Sequence, residues 1–238
     1  MLAFGATHIG KVRRNNQDSF LVLNAEKYFI LVVADGLGGH NAGEVASQYV
    51  VDSIKQYFEK SQIEHSQIKK ADIDRLIDEI NSSLYKMAEN DESMSGMGTT
   101  LTMCITNGKT ANIFNIGDSR VYLIGENLSQ ITKDHSLVQY MIDIDEITEE
   151  EALTHPKKNV ITRAVGTQPS VYADHYLVNL QKGEKLLLCS DGLTNNVEAE
   201  DIERIIKSND TQSSVDNLIN QANENGGSDN STVVVFEV

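Results

Sequence analysis

The sequence predicts an α+β fold, a layered sandwich of antiparallel sheets with helices outside, and three observations carry that expectation. Strand patterns come in runs, Thr99 to Thr106, Thr110 to Ile116 and Arg120 to Ile124, instead of alternating with helices as a doubly wound sheet requires. Helical patterns come in pairs, one early and one late. The Asn107-Gly108 dipeptide between the first two of those strands is a hairpin signal, and hairpins join antiparallel neighbours.

The elements follow in order. Leu21 to Leu23 and Tyr28 to Ala34 read as strands, the second apolar on both faces and therefore buried. A helix is predicted from about Ala42 to Lys60, because Ala46, Val50, Ile54 and Tyr57 recur at helical spacing. A second runs from about Ile73 to Glu89, with Ile73, Leu76, Ile77, Ile80, Leu84 and Met87 on one stripe. The polar segment 61–70 between them reads as a loop. After the run of strands comes a less regular stretch, Asp134 to Lys158, holding a short acidic helix around Glu146 to Leu153. Strands resume at Tyr172 to Asn179 and Lys185 to Ser190, two short helices follow near Glu200 to Lys207 and Ser213 to Glu224, and Ser231 to Val238 is the last strand.

Composition narrows the class. The chain of 238 residues is 40% hydrophobic and 23% charged, which is globular. Its two prolines, Pro156 and Pro169, stand apart, and no linker-like stretch divides the chain, so a single domain over 1–238 is expected. A net charge of −15 repels phosphate backbones and anionic lipid, which argues against nucleic acid and membrane surfaces as partners. No segment reaches the roughly 20 apolar residues needed to span a bilayer. Cys104 and Cys189 lie in apolar runs without Cys-x-x-Cys or Cys/His spacing, the pattern of reduced core thiols. A cytoplasmic location is expected.

One feature recurs along the chain. Apolar strands run straight into Asp-Gly or Gly-Asp: Asp35-Gly36, Gly117-Asp118 and Asp191-Gly192. Asp18 and Asp229 precede strands in the same manner. A lone Asp-Gly is an ordinary turn. Five such carboxylates at the rims of strands form a cluster that repels itself unless cations bind. Oxygen-only ligands select hard ions such as Mg²⁺ or Mn²⁺. The six histidines, His8, His40, His65, His135, His155 and His175, share no metal-ligand spacing, which counts against zinc chemistry.

These residues, taken in order, resemble the metal-dependent Ser/Thr protein phosphatases of type 2C, in their compact bacterial form. The resemblance covers essentially the whole chain. It is carried by Arg13 to Asp18, Asp35-Gly36-Leu37-Gly38-Gly39-His40, Gly96-Met97-Gly98-Thr99-Thr100, Asn115 to Arg120, Thr132 to Val138, Asn159 to Gly166, Ser190 to Leu193, and Asp229-Asn230-Ser231-Thr232. Each box is weak alone, and their shared order is specific.

The resemblance implies a four-layer α/β/β/α sandwich of two antiparallel sheets flanked by helix pairs. It implies hydrolysis of phosphoserine and phosphothreonine on proteins by direct attack of a water or hydroxide bridging two Mn²⁺ or Mg²⁺ ions. Asp35 would bridge the metals, the Gly36 carbonyl would ligate one, and Asp191 and Asp229 would complete the other shell. Asp18 would act through metal-bound water, and Asp118 matches a position linked to a third, weaker ion. Arg13 would clamp the phosphate, a task that suits its planar fork. Asn230 and Gln17 fall in the second shell. Two departures stand out: Gln17 replaces a Glu of some members, and Leu37 replaces the His that follows Asp-Gly in them. His40 is then a candidate acid, set against the simpler reading of a histidine that anchors the next helix.

The segment of about 136–158 corresponds to the family's flap beside the active site and is acidic, with Asp143, Asp145, Glu146, Glu149, Glu150 and Glu151. Expected partners are phosphorylated proteins, including a bacterial Ser/Thr kinase and its targets. The rival reading is a catalytically silent phosphoprotein-binding or regulatory module on the same fold. Its mark would be loss of a metal aspartate, and none is lost at the matched positions.

Overall fold

The computed structural model describes residues 1–25, 27–38, 42–60 and 68–238. His40, and residues 61–67 of the predicted loop, lie outside the described residues. The strands are β1 (Leu2–His8), β2 (Asp18–Ala25), β3 (Tyr28–Leu37), β4 (Gly98–Thr99), β5 (Leu101–Thr106), β6 (Thr110–Ile116), β7 (Arg120–Ile124), β8 (Leu128–Gln130), β9 (Asp174–Asn179), β10 (Lys185–Cys189) and β11 (Ser231–Glu237). The helices are α1 (Ala42–Lys60), α2 (Lys70–Asn90), α3 (Leu137–Asp143), α4 (Glu149–Thr154), α5 (Asp191–Thr194), α6 (Ala199–Ser208) and α7 (Thr211–Glu224).

Two sheets form, both antiparallel, in the orders β1-β11-β10-β7-β8 and β2-β3-β5-β6-β9, with β4 paired to β3. Strand alternation then sorts the side chains into three cores. On β3, Leu31 and Val33 face the other sheet, where they meet Leu186, Leu188, Val234 and Phe236. Ile30, Val32 and Ala34, one residue out of step, pack under α1 and α2 with Val50, Ile54, Ile77 and Leu84. On β11, Val233 and Val235 do the same beneath α6 and α7, against Ile202, Ile206 and Leu218. Successive side chains of a strand point to opposite faces, so a strand that is apolar throughout is one covered on both. The helix–sheet–sheet–helix order follows. No described helix is long and apolar enough to cross a membrane.

Several elements differ from the expectation. β1 is a full strand, although its run of small and weakly apolar residues gave only a short apolar start; it forms because β11 offers it a ladder from Leu2↔Glu237 to His8↔Ser231. The stretch after Asp134 holds two helices. α3 buries no side chain, so its apolar run Leu137-Val138-Gln139-Tyr140-Met141-Ile142 shows no core-facing stripe. α4 starts three residues later than predicted, where Thr148 and Glu151 make a reciprocal capping box. The Thr99–Thr106 strand is broken at Thr100, whose hydroxyl turns to the Asp35 N–H. Cys104 belongs to the inter-sheet core and Cys189 to the α6/α7 core, both as buried free thiols.

Candidate metal centre

The sheet register places the first two carboxylates. Asp18, first residue of β2, stands directly across from Asp35, near the end of β3. Like charges opposite one another on a ladder are destabilising, so this pairing needs compensation. Asp18 is buried. Its Oδ2 accepts hydrogen bonds from Ser190 Oγ and Thr232 Oγ1, each at 2.7 Å. Its Oδ1 is buried with no hydrogen-bond partner. A buried carboxylate oxygen without a donor is costly.

Asp35 is held by its backbone. Its N–H donates to Thr100 Oγ1 at 2.9 Å, and its carbonyl accepts from Thr99 Oγ1 and the Thr100 N–H, both at 2.9 Å. Gly36 follows with its N–H on the Gln17 carbonyl at 3.0 Å. A Cβ on Gly36 would stand 2.2 Å from the Gly43 carbonyl oxygen and 2.6 Å from that of Gln17. Only glycine lets β3 pass the start of α1 this closely.

Asp191 opens α5 and keeps its Oδ2 on Asn195 Nδ2 at 3.0 Å. Its carboxyl lies close enough to Asp35 for their charges to repel. Asp229 takes Arg13 Nη2 at 2.6 Å and the Asn230 N–H at 2.8 Å. Asp118 is buried, and the guanidinium two residues on, Arg120, turns away to grip Asp134 through Nε and Nη2, the shortest contact 2.7 Å. A cleft of about 190 Å³ has Arg13, Asp35, Gly36, Asp118, Asp191 and Asp229 on its walls. A larger one, about 490 Å³, shares Asp118, Asn159 and Asp191 with it and extends beneath α3 and α4.

Electrostatics agree with the crowding. Burial, followed by the charges of Asp18, Asp191, Asp118 and Asp229, pushes the Asp35 carboxyl well above the ordinary carboxylate range. Burial raises Asp18 to about 7 despite the Thr232 and Ser190 hydroxyls, and burial with the Asp191 charge raises Asp118 to about 7. Asp191 is raised too, by burial and then Asp229. Arg13 is held further into its charged form, chiefly by its hydrogen bond to Asp229.

Divalent cations fit this donor set. The orphaned Asp18 Oδ1 and four neighbouring carboxylates supply oxygen and negative charge, and nothing softer. Among the described residues, no three His, Cys, Asp or Glu side chains close a metal shell unaided. Oxygen donors of this kind suit hard ions such as Mg²⁺ or Mn²⁺.

A family profile described as protein phosphatase 2C matches residues 4–231. The chain belongs to the protein phosphatase 2C family. It is 40% identical over 235 residues to the serine/threonine phosphatase stp of Listeria innocua, spanning 97% of this chain and 93% of that one. The crystal structure of the Mycobacterium tuberculosis serine/threonine phosphatase PstP/Ppp superposes with a TM-score of 0.90 at 36% identity, covering 100% of this chain and 98% of the other. A crystal structure of the PstP catalytic domain in complex with two manganese ions matches with a TM-score of 0.87 at 35% identity, over 98% and 96% of the two chains.

Within this protein phosphatase 2C fold, the sequence boxes acquire individual work. Arg13, Asp18, Asp35, Gly36, Asp118, Asp191 and Asp229 do converge, as does Gln17, which lines the cleft. Leu37 lines it as well. Asn230 meets Asp229 through its backbone N–H only. Its side-chain amide accepts from the Gln17 N–H at 2.8 Å and donates to the carbonyls of Ile9 and Asn15 at 2.9 and 3.0 Å. That uses the amide fully on the loop that carries Arg13. The supporting groups Ser190, Thr232, Thr100, Asn195 and His135 went unassigned in the sequence. Four of them stand inside the boxes, so the boxes mark supports as well as the carboxylates.

Proposed function

We propose that this protein is a metal-dependent phosphatase for phosphoserine and phosphothreonine on proteins, with residues 1–238 acting as one catalytic domain. The observation that carries the reading is the convergence of four strand-end carboxylates and one arginine on a single cleft, with a fifth carboxylate, Asp18, buried against Asp35. Asp35, Asp191, Asp229 and the Gly36 carbonyl are the residues proposed to hold two divalent ions, with Asp18 acting through water. Asp118 is proposed for a third, weaker ion. When bound, such ions supply Lewis acidity to the phosphoryl oxygens and lower the pKa of the attacking water.

The chain's own residues hold and orient the substrate. Arg13 engages Asp229 through Nη2 alone, which leaves its remaining N–H groups for phosphate oxygens. The Arg13 side chain is 49% exposed, so a phosphate reaches it without rearrangement of the fold. Asp18, fixed by two hydroxyls, cannot swing away from Asp35. The clip of Ser136 against Ile161 anchors the base of the flap, and α3 and α4 wall the larger cleft where the protein chain bearing the phosphate would lie.

The acidic surface and the compact fold support a cytoplasmic location, with a bacterial Ser/Thr kinase and its targets as partners. The test is phosphate release from a phosphothreonine peptide by EDTA-treated protein, with Mn²⁺ or Mg²⁺ restored. Release should require the metal and vanish in Asp35→Ala, Asp191→Ala and Asp229→Ala. Full activity in Asp191→Ala would sink the assignment. Absence of any release from the metal-loaded wild type would favour the silent binding module.

A further inference from the structure

His135 lies outside the cleft, and no step of the proposed chemistry uses it, yet it is buried and tied through its backbone N–H and its Nδ1 to the residue before Asp118. Its backbone N–H donates to the Gly117 carbonyl at 2.9 Å, while the Gly117 N–H donates to its Nδ1 at 3.0 Å. One residue therefore grips both backbone groups of another, 18 positions away. Asn115 Nδ2 adds a second bond to the Gly117 carbonyl at 3.3 Å. Gly117 has φ +106°, and a Cβ there would meet Thr100 Cγ2 at 2.5 Å, so the position is held in a conformation only glycine adopts readily.

The far side of the ring faces the return of the flap. His135 Nε2 stands 3.2 Å from Asp174 Oδ2, at an angle short of a hydrogen bond. The other oxygen of Asp174 accepts from Arg163 Nη1 at 2.7 Å, and Arg163 lies over the Tyr172 ring at 4.0 Å. The His135 carbonyl accepts from the Thr162 N–H at 2.8 Å. Because Nδ1 is an acceptor, the ring proton sits on Nε2, where it faces the carboxylate. Burial holds the imidazole below its ordinary pKa against the pull of Asp174, in keeping with a neutral ring.

We propose that His135 is a positioning residue for Asp118: its neutral imidazole, by accepting the Gly117 N–H, fixes the Ile116–Gly117 peptide and so the turn from which the Asp118 carboxyl is presented to the cleft. A histidine is needed for an acceptor at Nδ1 and a proton at Nε2, one toward Gly117 and one toward Asp174. The consequence for metal binding rests on the assignment of Asp118 made above; the hydrogen bond itself does not.

The test compares His135→Asn, whose side-chain oxygen falls near the place of Nδ1, with His135→Gln and His135→Ala, which leave that place without an acceptor. In metal-free protein, NMR should show the Gly117 amide slow to exchange in the wild type, fast in His135→Ala and His135→Gln, and slow again in His135→Asn. The ¹⁵N shifts of the wild-type ring should report the Nε2–H tautomer. Calorimetric Mn²⁺ titration should show the Asp118-dependent site weakened about 10- to 100-fold in His135→Ala, largely restored in His135→Asn, and no further weakened when His135→Ala is added to Asp118→Asn. Unchanged Gly117 protection in His135→Ala, or equal behaviour of the Asn and Gln variants, would overturn the proposal. A titration unaffected by Asp118→Asn would refute the metal assignment of Asp118 and leave the amide measurement to judge His135. Should His135→Ala fail to fold, the Asn and Gln pair decides.

Discussion

Replacing Asp18 with Asn should stabilise the metal-free protein, and more so as the pH rises. The carboxyl is raised from its ordinary 3.8 to about 7, first by burial. Between those values the folded state holds a proton that the unfolded chain has released, so folding stability falls as pH increases. At roughly 1.4 kcal/mol per pH unit, burying Asp18 costs about 4 kcal/mol at pH 8, where it ionises, and a little under 2 at pH 5, where the fold keeps it protonated. Asn carries no charge, and its oxygen can still accept from Ser190 and Thr232. Asp35, raised next after burial by Asp18 itself, is relieved in the same direction. The advantage of Asp18→Asn over wild type should therefore grow by roughly 2 to 3 kcal/mol between pH 5 and pH 8. Urea unfolding of EDTA-treated proteins at both pH values measures it. Manganese should then narrow the gap, adding about 2.7 kcal/mol to the wild type at a hundredfold excess over Kd and less to the variant. An advantage that is constant or shrinks from pH 5 to pH 8 would refute the reasoning.

Other outcomes follow from the same geometry. Gly192→Ala would place a Cβ 1.8 Å from the Asn230 carbonyl oxygen, so it should lower unfolding stability by about 3 kcal/mol; a loss within about 0.5 kcal/mol would show that α5 can shift freely. Asp134→Asn breaks the buried pair with Arg120 and should lower stability by about 3 kcal/mol in the same assay. Arg13→Ala should raise KM for a phosphopeptide with little change in unfolding midpoint, since its partner contact is half exposed; an unchanged KM would remove Arg13 from phosphate binding.

The layered fold was legible where one face of an element is buried. The stripes of α1 and α2 and the apolar runs of β3, β6 and β10 announce themselves, because burial writes its period into the sequence. β1 was not legible, since its stability comes from β11, more than 220 residues away along the chain. α3 was not either, since an apolar run without a buried side carries no helical period. For the site, repeated strand-end aspartates sufficed to suggest a cation cluster. The partners of each carboxylate did not follow, because they are hydroxyls and backbone groups brought close only by the meeting of two sheets. Asp18 is the example: its donors Ser190 and Thr232 come from the other sheet's strand ends, and no local spacing encodes that. Tyr172 covers Arg163, another contact that local spacing does not announce.

The flap buries almost nothing of its own. α3 contributes no buried side chain and α4 only Ala152, and the segment is fastened at its base by Ser136 to Ile161 and Thr99 to Val165. Its surface is thus released from the packing that constrains the sandwich, where one lost methylene is felt. Mutations there can accumulate and alter what the larger cleft admits, while the carboxylates at the strand ends stay locked. If the larger cleft receives the substrate as proposed, its recognition surface is the part of the molecule freest to vary and its carboxylates the part least so.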